Sequence, residues 1–243
     1  MKFFSLYTFF IFCLLTTKII GQKNSEGVIG FGQRIFNNET GQFVIPTYYK
    51  DYIKIWYKDS TVIEESEAVY STKDITGKES ICIEVDHYSY IDLRTKSFYD
   101  YPAFSADLMF NKKYTLPDSV TGKVWNFYTY HKIWPPETIS FLPDTIINSV
   151  LNKRIKSTVI DSTGSLEEID IGYIRCDKKN SIFHIDRGLD EKIGCPVTKI
   201  EFINPKTKRD YYAEIVFLAD KLTPEELMVF DAWEKNAKQN PVK

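Results

Sequence analysis

The chain has 243 residues, with 31 basic and 33 acidic side chains, a net charge of −2, and 15% aromatic residues. It contains no block of Lys or Arg, so the composition argues against nucleic-acid binding. A chain of this length buries most of the surface that its unfolded form exposes, which is enough for one large domain or two small ones.

The first segment, MKFFSLYTFFIFCLLTTKIIGQ, has the layout of a secretory signal peptide. Lys2 precedes an apolar run that is shorter than the about 20 residues of a membrane span. We expect cleavage after Gly21, so that residues 1–21 are the signal peptide and residues 22–243 form a single β-rich domain. The protein is then exported to the periplasm, the outer-membrane surface or the medium, with no transmembrane span after cleavage. The alternative is a retained N-terminal anchor.

Residues 22–40 are polar and contain several glycines, which predicts a lead-in or a first short strand. From Phe43 onward the sequence alternates with a period of two. The segment ESICIEVDHYSYIDL, for example, places Ile81 and Ile83 on one face and Cys82 and Glu84 on the other. This alternation predicts an antiparallel sheet with one wet face.

Turn residues divide the remaining chain into strands. YIDLRTKSFYDY predicts two strands around the polar turn Arg94–Lys96, and DSTGS predicts a hairpin turn. The segment WPPETISFLPD is rich in proline, which lacks the N–H of a sheet ladder, so we expect a connection around residues 135–146. PDTIINSVLNK fits a short helix or a strand, and we favour the strand. About ten or eleven strands result.

One helix is clearly encoded near the C-terminus. Thr223 is a suitable N-cap, Pro224 suits the first helical position, and Glu226 completes a capping box. An apolar stripe follows at Leu227, Phe230, Trp233 and Ala237. The sequence therefore predicts an α+β fold, in which one large antiparallel sheet of about ten strands is covered by this amphipathic helix.

Three cysteines lie beyond the signal peptide. Cys176 and Cys195 are the closest pair in sequence, and a bridge between them closes a loop of about 20 residues, worth roughly 3 kcal/mol. Export to an oxidising compartment favours such a bridge. Cys82 is then left over, and we expect it to be a buried apolar filler. Pairings that involve Cys82 stay open.

The segment KVWNFYTYHKIWPPE is the most aromatic part of the chain. As a strand it carries aromatic side chains on both faces, which fill a core or form a platform for an apolar ligand. The candidate ligand-binding residues are Trp125, Phe127, Tyr128, Tyr130 and Trp134.

The only polar pair that suggests catalysis is His184 with Asp186, in FHIDRG. On one strand face, an H-x-D pair is the beginning of a metal site or of a His–carboxylate dyad. We find no further ligand, no nucleophile and no G-x-S-x-G, H-E-x-x-H or P-loop motif, and His87 fits a hydrogen-bonded core residue. We therefore expect a non-catalytic protein without metal or other cofactor. A secreted enzyme that uses His184 and Asp186, with or without a metal, is the alternative.

The order of elements over about residues 50–180, with the YIDLRTKSFYDY strand pair, resembles that of exported bacterial envelope proteins. These proteins have a curved, half-barrel-like sheet, the fold of the outer-membrane lipoprotein carriers. The layout is also similar to that of the GLPGLI-type secreted family. The segment IGCPV partly resembles the signature of that family. The resemblance implies a concave apolar face that shelters a lipid-like ligand. Separately, we expect envelope proteins as an alternative kind of partner. A scaffold or interaction module without a small ligand is a further possibility.

Overall fold

The computed structural model describes residues 26–45, 50–73, 75–115, 139–160, 162–178, 183, 185, 187–206 and 210–242. Within these residues, the strands are β1 (Glu26–Asn37), β2 (Gln42–Val44), β3 (Ile53–Lys58), β4 (Thr61–Lys73), β5 (Glu79–Asp92), β6 (Ser97–Tyr101), β7 (Lys112–Thr115), β8 (Ser140–Ile147), β9 (Val150–Ile160), β10 (Leu166–Ile174), β11 (Val197–Ile203) and β12 (Tyr211–Ala219). The helices are α1 (Arg187–Ile193) and α2 (Pro224–Gln239), with a 3-10 turn at Cys176–Lys178.

The described strands form one open, curved antiparallel sheet. Its order is β7-β6-β5-β4-β3-β1-β12-β11-β10-β9-β8, and β2 pairs with the end of β1. The predicted α+β class, with a large antiparallel sheet and a C-terminal helix, is confirmed. The hairpin turns at Arg94–Lys96 and at Ser162–Ser165 are also where the sequence predicts them.

The first strand differs from its prediction. Residues 26–37 form β1, a twelve-residue strand at the centre of the sheet, between β3 and β12. Two of its glycines explain how the chain fits there. A Cβ at Gly30 or Gly32 would lie 3.0 or 2.8 Å from atoms of the Tyr52 side chain, which packs directly on the β1 backbone. These two glycines lie in the segment predicted to be a lead-in or a first short strand, and in the sheet they make room for the Tyr52 ring.

The proline-rich segment also differs. Residues 140–146, expected in a connection, belong to β8, and Pro143 lies inside this strand. β8 is an edge strand whose register with β9 shifts between Leu142 and Thr145. A proline is tolerated at such a place, because its missing N–H faces away from the ladder. The strand expected in PDTIINSVLNK is confirmed as the β8–β9 hairpin, with positive φ at Asn148 and Ser149.

Helix α2 packs on one face of the sheet, here called the helix face. Thr223 is its N-cap and forms the predicted capping box with Glu226. Trp233 is fully buried and stacks on Tyr101, with ring centroids 3.7 Å apart. Its indole Nε1 donates to the backbone oxygen of Ser105 at 2.9 Å. The fully buried or nearly buried members of this helix core are Val28, Trp56, Ile63, Tyr90, Tyr99, Tyr101, Leu222, Val229, Phe230 and Trp233.

The opposite face of the sheet is covered as well, so the prediction of one wet face is wrong for the central strands. Alternate residues of the same strands build a second core there, with Phe183 packed against it. A third cluster contains Leu189 of α1, a helix that the sequence analysis missed. The second core is built from Ile29, Ile55, Tyr57, Val62, Ile91, Phe98, Phe183 and Ile215.

The predicted disulfide is confirmed. Cys176 and Cys195 are bonded, with their Cα atoms 4.8 Å apart. The bond ties the chain after β10 to the chain after α1, and so holds α1 against the third cluster.

In the part of the chain that the structure describes, no helix is both long and apolar enough to cross a membrane.

Candidate ligand cavity at the open end of the sheet

A cavity of about 780 Å³ lies where β1 ends and β12 begins. Within a strand, side chains alternate between the two faces. Ile35 and Gln33 therefore lie on the same side of β1 as Ile29 and Phe31, which pack in the second core. The cavity thus continues the apolar opposite face beyond the point where that core ends. Its walls are Gln33, Arg34, Ile35, Phe36, Asn38, Glu168, Asn204, Asp210 and Tyr211.

Large apolar side chains at this end of the sheet are open to solvent. Ile35 is 46% exposed and Tyr211 is 41% exposed. β2 adds Phe43 and Val44, followed by Ile45, each of which is exposed by more than a third. Exposed apolar side chains grouped in this way mark binding surfaces more often than isolated ones do.

Aromatic pairs hold the walls in place. Tyr211 stacks on Phe202, with ring centroids 4.5 Å apart and an interplanar angle of 16°. On the other side of the strands, Phe43 meets Phe36 at 5.3 Å and Tyr212 at 4.9 Å, both edge to face. Such pairs stabilise the side-chain positions by about 0.5–1.5 kcal/mol each beyond burial. Of the wall residues, Tyr211 and Phe36 are thus each held by a neighbouring ring.

The one cation in the described cavity wall is already bound. The Arg34 guanidinium forms an ion pair with the Asp51 carboxylate and donates to the Asp51 backbone oxygen at 2.9 Å. Two carboxylates, Glu168 and Asp210, lie in the wall as well. Among the described residues of the wall, acidic side chains therefore outnumber basic ones.

Two tyrosines on the other face of these strands, Tyr52 and Tyr212, stay neutral at physiological pH. Burial raises the pKa of Tyr212, and the charge of Glu214 raises it further. Burial also raises the pKa of Tyr52 to about 12, with a second contribution from Glu214, which accepts a hydrogen bond from the Tyr52 hydroxyl at 3.1 Å. These phenols lie outside the described cavity wall and add no negative charge near it.

A second cleft, of about 370 Å³, opens on β10–β12 at the opposite end of the strands. Its cations are paired: Lys199 with Glu201 at 2.8 Å, and Lys178 with Asp220. Lys199 also lies 4.1 Å above the ring of Tyr212. A cleft with paired charges offers an incoming ion little net attraction. The first cavity is therefore the better candidate for an apolar ligand.

The residues that the sequence analysis proposed for a site fall mostly outside the described residues. This applies to the aromatic candidates Trp125, Phe127, Tyr128, Tyr130 and Trp134, and to His184 and Asp186. Their roles stay predictions. Among the described residues, no group of three or more His, Cys, Asp or Glu side chains is arranged to hold a metal ion.

Two side-chain predictions are wrong. Cys82 is a free, exposed cysteine rather than a buried filler. His87 is half-buried rather than in the core, and its Nδ1 lies 2.8 Å from the Asp86 carboxylate. Both residues lie on β5 where the strand extends beyond the covered sheet, so burial ends before the alternating pattern does.

The cavity residues Ile35 and Tyr211 were not among the sequence candidates. Tyr211 lies in a predicted strand, and Ile35 lies in the segment predicted to be a lead-in or a first short strand. The available signal was the run GVIGFGQRIF, whose apolar residues include Ile29, Phe31 and Ile35 on one side.

Solved structures that are distantly similar to this chain include the following three. The Mycobacterium tuberculosis lipoprotein LppX is 8% identical, over 87% of this chain and 93% of that chain, with a TM-score of 0.29. A LolA superfamily protein from Nitrosomonas europaea is 10% identical, over 88% and 94%, with a TM-score of 0.28. A DUF1329 family protein from Desulfovibrio piger is 9% identical, over 84% and 88%, with a TM-score of 0.17. No family model and no curated protein matches the chain. Function is therefore inferred from the cavity itself.

Proposed function

We propose that this protein is an exported, non-catalytic binding protein that holds an apolar or neutral amphiphilic ligand at the open end of its sheet. The observation that carries the proposal is the cavity of about 780 Å³ with the exposed side chains of Ile35 and Tyr211 in its wall. Small-molecule sites are typically about 300–1,000 Å³, mostly apolar, with a few polar groups.

The charges of the wall narrow the ligand class. In the described part of the wall, Arg34 is engaged by Asp51, and Glu168 and Asp210 add two carboxylates, of which Asp210 accepts a hydrogen bond from the Asn204 N–H. An anionic head group near these carboxylates would be repelled, because like charges in a partly buried site interact strongly. The preferred ligand is therefore a lipid-like molecule with a neutral or cationic polar group, and a free fatty acid should bind more weakly.

The test is titration of the purified, delipidated full chain with Nile red, a neutral apolar dye. We expect saturable binding that Ile35→Asp and Tyr211→Asp each weaken by roughly tenfold or more, since a charge in the apolar wall costs more than 1.4 kcal/mol. The matched control is Ile146→Asp, because Ile146 is an exposed isoleucine on the edge strand β8. Absence of saturable binding, or equal effects of Ile35→Asp and Ile146→Asp, would contradict the proposal.

Competition then separates ligand classes. A monoacylglycerol should displace Nile red more effectively than a fatty acid of the same chain length at neutral pH. The Asp210→Asn variant should reduce this preference, because it removes one of the carboxylates. A preference for the fatty acid would contradict the assigned ligand class and leave the cavity assignment intact.

Export forms the second part of the proposal. It is supported by the Cys176–Cys195 disulfide, since structural disulfides are typical of oxidising compartments. The residues around Lys2 and the apolar run that follows fit a secretory signal. Fractionation of the native host, with determination of the mature N-terminus, tests this part. The expected first residue is Gln22, and retention of the full chain in the cytoplasm would contradict it.

A further inference from the structure

The tip of the β8–β9 hairpin extends beyond the neighbouring strand. β9 begins at Val150, but β10 pairs with it only from Lys153 onward. Among the described strands, residues 145–147 and 150–152 therefore pair only with each other. Three residues of a strand span about 10 Å, by the rise of 3.2–3.4 Å per residue. The Asn152 side chain donates to the Val150 backbone oxygen at 2.8 Å, which helps to hold the tip in shape.

Both faces of this tip are apolar. Residues that lie opposite each other in an antiparallel pair share one face. Ile146 lies opposite Leu151, and residue pair Ile147 and Val150 occupies the other face. Ile146 is 71% exposed and Leu151 is 60% exposed. The turn residues 148–149 are exposed and uncharged. Exposed apolar side chains grouped in this way mark an interaction surface.

The exposed face continues along the hairpin behind the tip. Leu151, Lys153 and Ile155 alternate along β9 and therefore share one face. Phe141 lies opposite Ile155 and is 71% exposed. Lys153, which is exposed, thus lies on the same face as the apolar tip, two residues behind Leu151. The surface combines an apolar end with a cation set back from it.

The hairpin is basic, whereas the whole chain has a net charge of −2. Residues 140–160 contain three cations and one carboxylate, a net charge of +2: Lys153, Arg154, Lys156 and Asp144. Neither Lys153 nor Lys156 forms an ion pair with another described residue. The Arg154 Nε donates to a backbone oxygen of β8 at 2.8 Å, and a neutral acceptor leaves the guanidinium charge in place. The hairpin therefore complements a negatively charged partner.

We propose that the tip of the β8–β9 hairpin docks on the surface of an anionic lipid bilayer. The apolar tip enters the interface, and Lys153 and Lys156 stay at the level of the head groups. Its length of about 10 Å matches the about 5–10 Å to which interfacial segments are buried. Lys and Arg near an anionic membrane surface each strengthen binding. The docking surface is separate from the ligand cavity, because Asn148 of the turn lines the second cleft, at the opposite end of the strands.

The first test reports on the tip itself. In a Cys82→Ser background, Ser149→Cys is labelled with a nitrobenzoxadiazole dye, while Cys176 and Cys195 are bonded to each other and do not react. Vesicles of equal parts phosphatidylglycerol and phosphatidylcholine, added to the full chain, should shift the dye emission to the blue and raise its intensity severalfold. The matched control is the same dye at Met109→Cys, an exposed position outside the hairpin, which should stay in water. A dye at position 149 that stays in water, or equal responses at both positions, would overturn the proposal.

The second test removes the apolar contact. Leu151→Asp should weaken the binding of the labelled tip to these vesicles by tenfold or more, because a carboxylate at the apolar tip opposes its transfer out of water. Met228→Asp is the control, at an exposed position of α2. Circular dichroism checks that both variants are folded. All of these proteins share the apolar N-terminal run, and the dye reports only on the tip. Wild-type binding by Leu151→Asp would contradict the proposal.

A different occupant of the surface gives a different result. If light scattering shows that the wild type is a dimer and that Leu151→Asp is a monomer, the hairpin joins two copies of the chain. The assignment to a bilayer is then wrong. We expect the same mass for both proteins.

The third test concerns charge. Lys153→Gln and Lys156→Gln should each weaken binding to the anionic vesicles by about fivefold. Lys235→Gln, at an exposed lysine of α2, is the control and should bind as wild type. On vesicles of phosphatidylcholine alone, the two hairpin variants should match the wild type. Equal losses on both kinds of vesicle, or equal wild-type binding to both, would contradict the anionic partner.

The docking surface and the ligand cavity can fail independently. Ile35→Asp should leave vesicle binding unchanged, because Ile35 lies in the cavity wall. Leu151→Asp should leave Nile red binding unchanged when no vesicles are present. If Ile35→Asp weakens vesicle binding as much as Leu151→Asp does, the cavity and not the hairpin meets the bilayer, and this proposal is wrong.

Discussion

Two regions of this protein carry large apolar side chains and differ in how far those side chains are buried. The helix core under α2 contains Trp233 at full burial against Tyr101. The cavity at β1 and β12 presents Ile35 and Tyr211 to solvent instead. Both regions contain aromatic and branched side chains, but the helix core is wholly apolar or aromatic whereas the described cavity wall is mostly polar. In the part of the chain that the structure describes, a second difference is that α2 covers the helix core and no segment covers the cavity.

The cover of the helix core is encoded locally. The capping box of Thr223 and Glu226 fixes where α2 begins, and the apolar stripe fixes which face meets the sheet. Trp56 reinforces the start of the helix, because its Nε1 donates to the Glu226 carboxylate at 2.6 Å. Aromatic surface thus becomes core where a neighbouring segment is built to seal it, and it stays available for a ligand where no described segment does so.

The largest expected effect breaks the sealed region. Trp233→Ala should lower the free energy of unfolding by about 3–5 kcal/mol, because it removes a fully buried indole and its hydrogen bond to Ser105. Urea unfolding monitored by circular dichroism measures the change. Met228→Ala, at an exposed position of the same helix, should change stability by less than about 0.5 kcal/mol. Equal losses in the two variants would mean that the helix does not seal the core.

The next largest effect on stability is expected from the disulfide that holds α1 in place. Replacing both Cys176 and Cys195 by Ser should lower the free energy of unfolding by about 3 kcal/mol, the value expected for a loop of this length. The same loss should appear when the wild type is reduced. Cys82→Ser serves as the control and should leave stability nearly unchanged, because that thiol is exposed. If the double-Ser variant is as stable as wild type, the disulfide does not contribute to holding α1 in place.

A smaller effect on stability is expected at the N-cap of α2. Thr223→Ala should cost about 1 kcal/mol, since it leaves the Glu226 N–H without its N-cap acceptor. Thr223→Ser keeps the hydroxyl and should recover most of that loss. If Thr223→Ser is as destabilised as Thr223→Ala, packing at this position matters more than capping.

The part of the fold that follows local rules was predictable from the sequence. The α2 helix, the polar turns and the Cys176–Cys195 bridge depend on neighbouring residues or short loops, and all are as predicted. The central position of β1 was not predictable, because which strands pair across the sheet depends on contacts distant in sequence. The exposure of Cys82 was missed for a related reason, since alternation shows which residues share a face and not where the cover over that face ends.

The candidate site was harder still to predict. The cavity unites the end of β1 with the start of β12, about 175 residues later, and pairing such as Ile35 with Tyr211 brings them together. Neither segment carries a motif of its own. Only the register of the sheet places the two exposed side chains in one wall.

The smallest expected effect on stability is that of Ile35→Ala. It is best compared with Ile29→Ala, because both variants replace an isoleucine on the same face of β1. Ile29 and Ile35 both lie on β1, and Ile29 is fully buried whereas Ile35 is 46% exposed. Ile29→Ala should cost about 2–5 kcal/mol, and Ile35→Ala less than about 0.5 kcal/mol. When an apolar ligand is bound, the loss of unfolding free energy caused by Ile35→Ala should become larger. A ligand that binds only the folded state stabilises wild type more than a variant with weaker affinity. If Ile35→Ala lowers the free energy of unfolding by several kcal/mol without ligand, Ile35 is a core residue. That result would contradict the assignment of the cavity as a binding site.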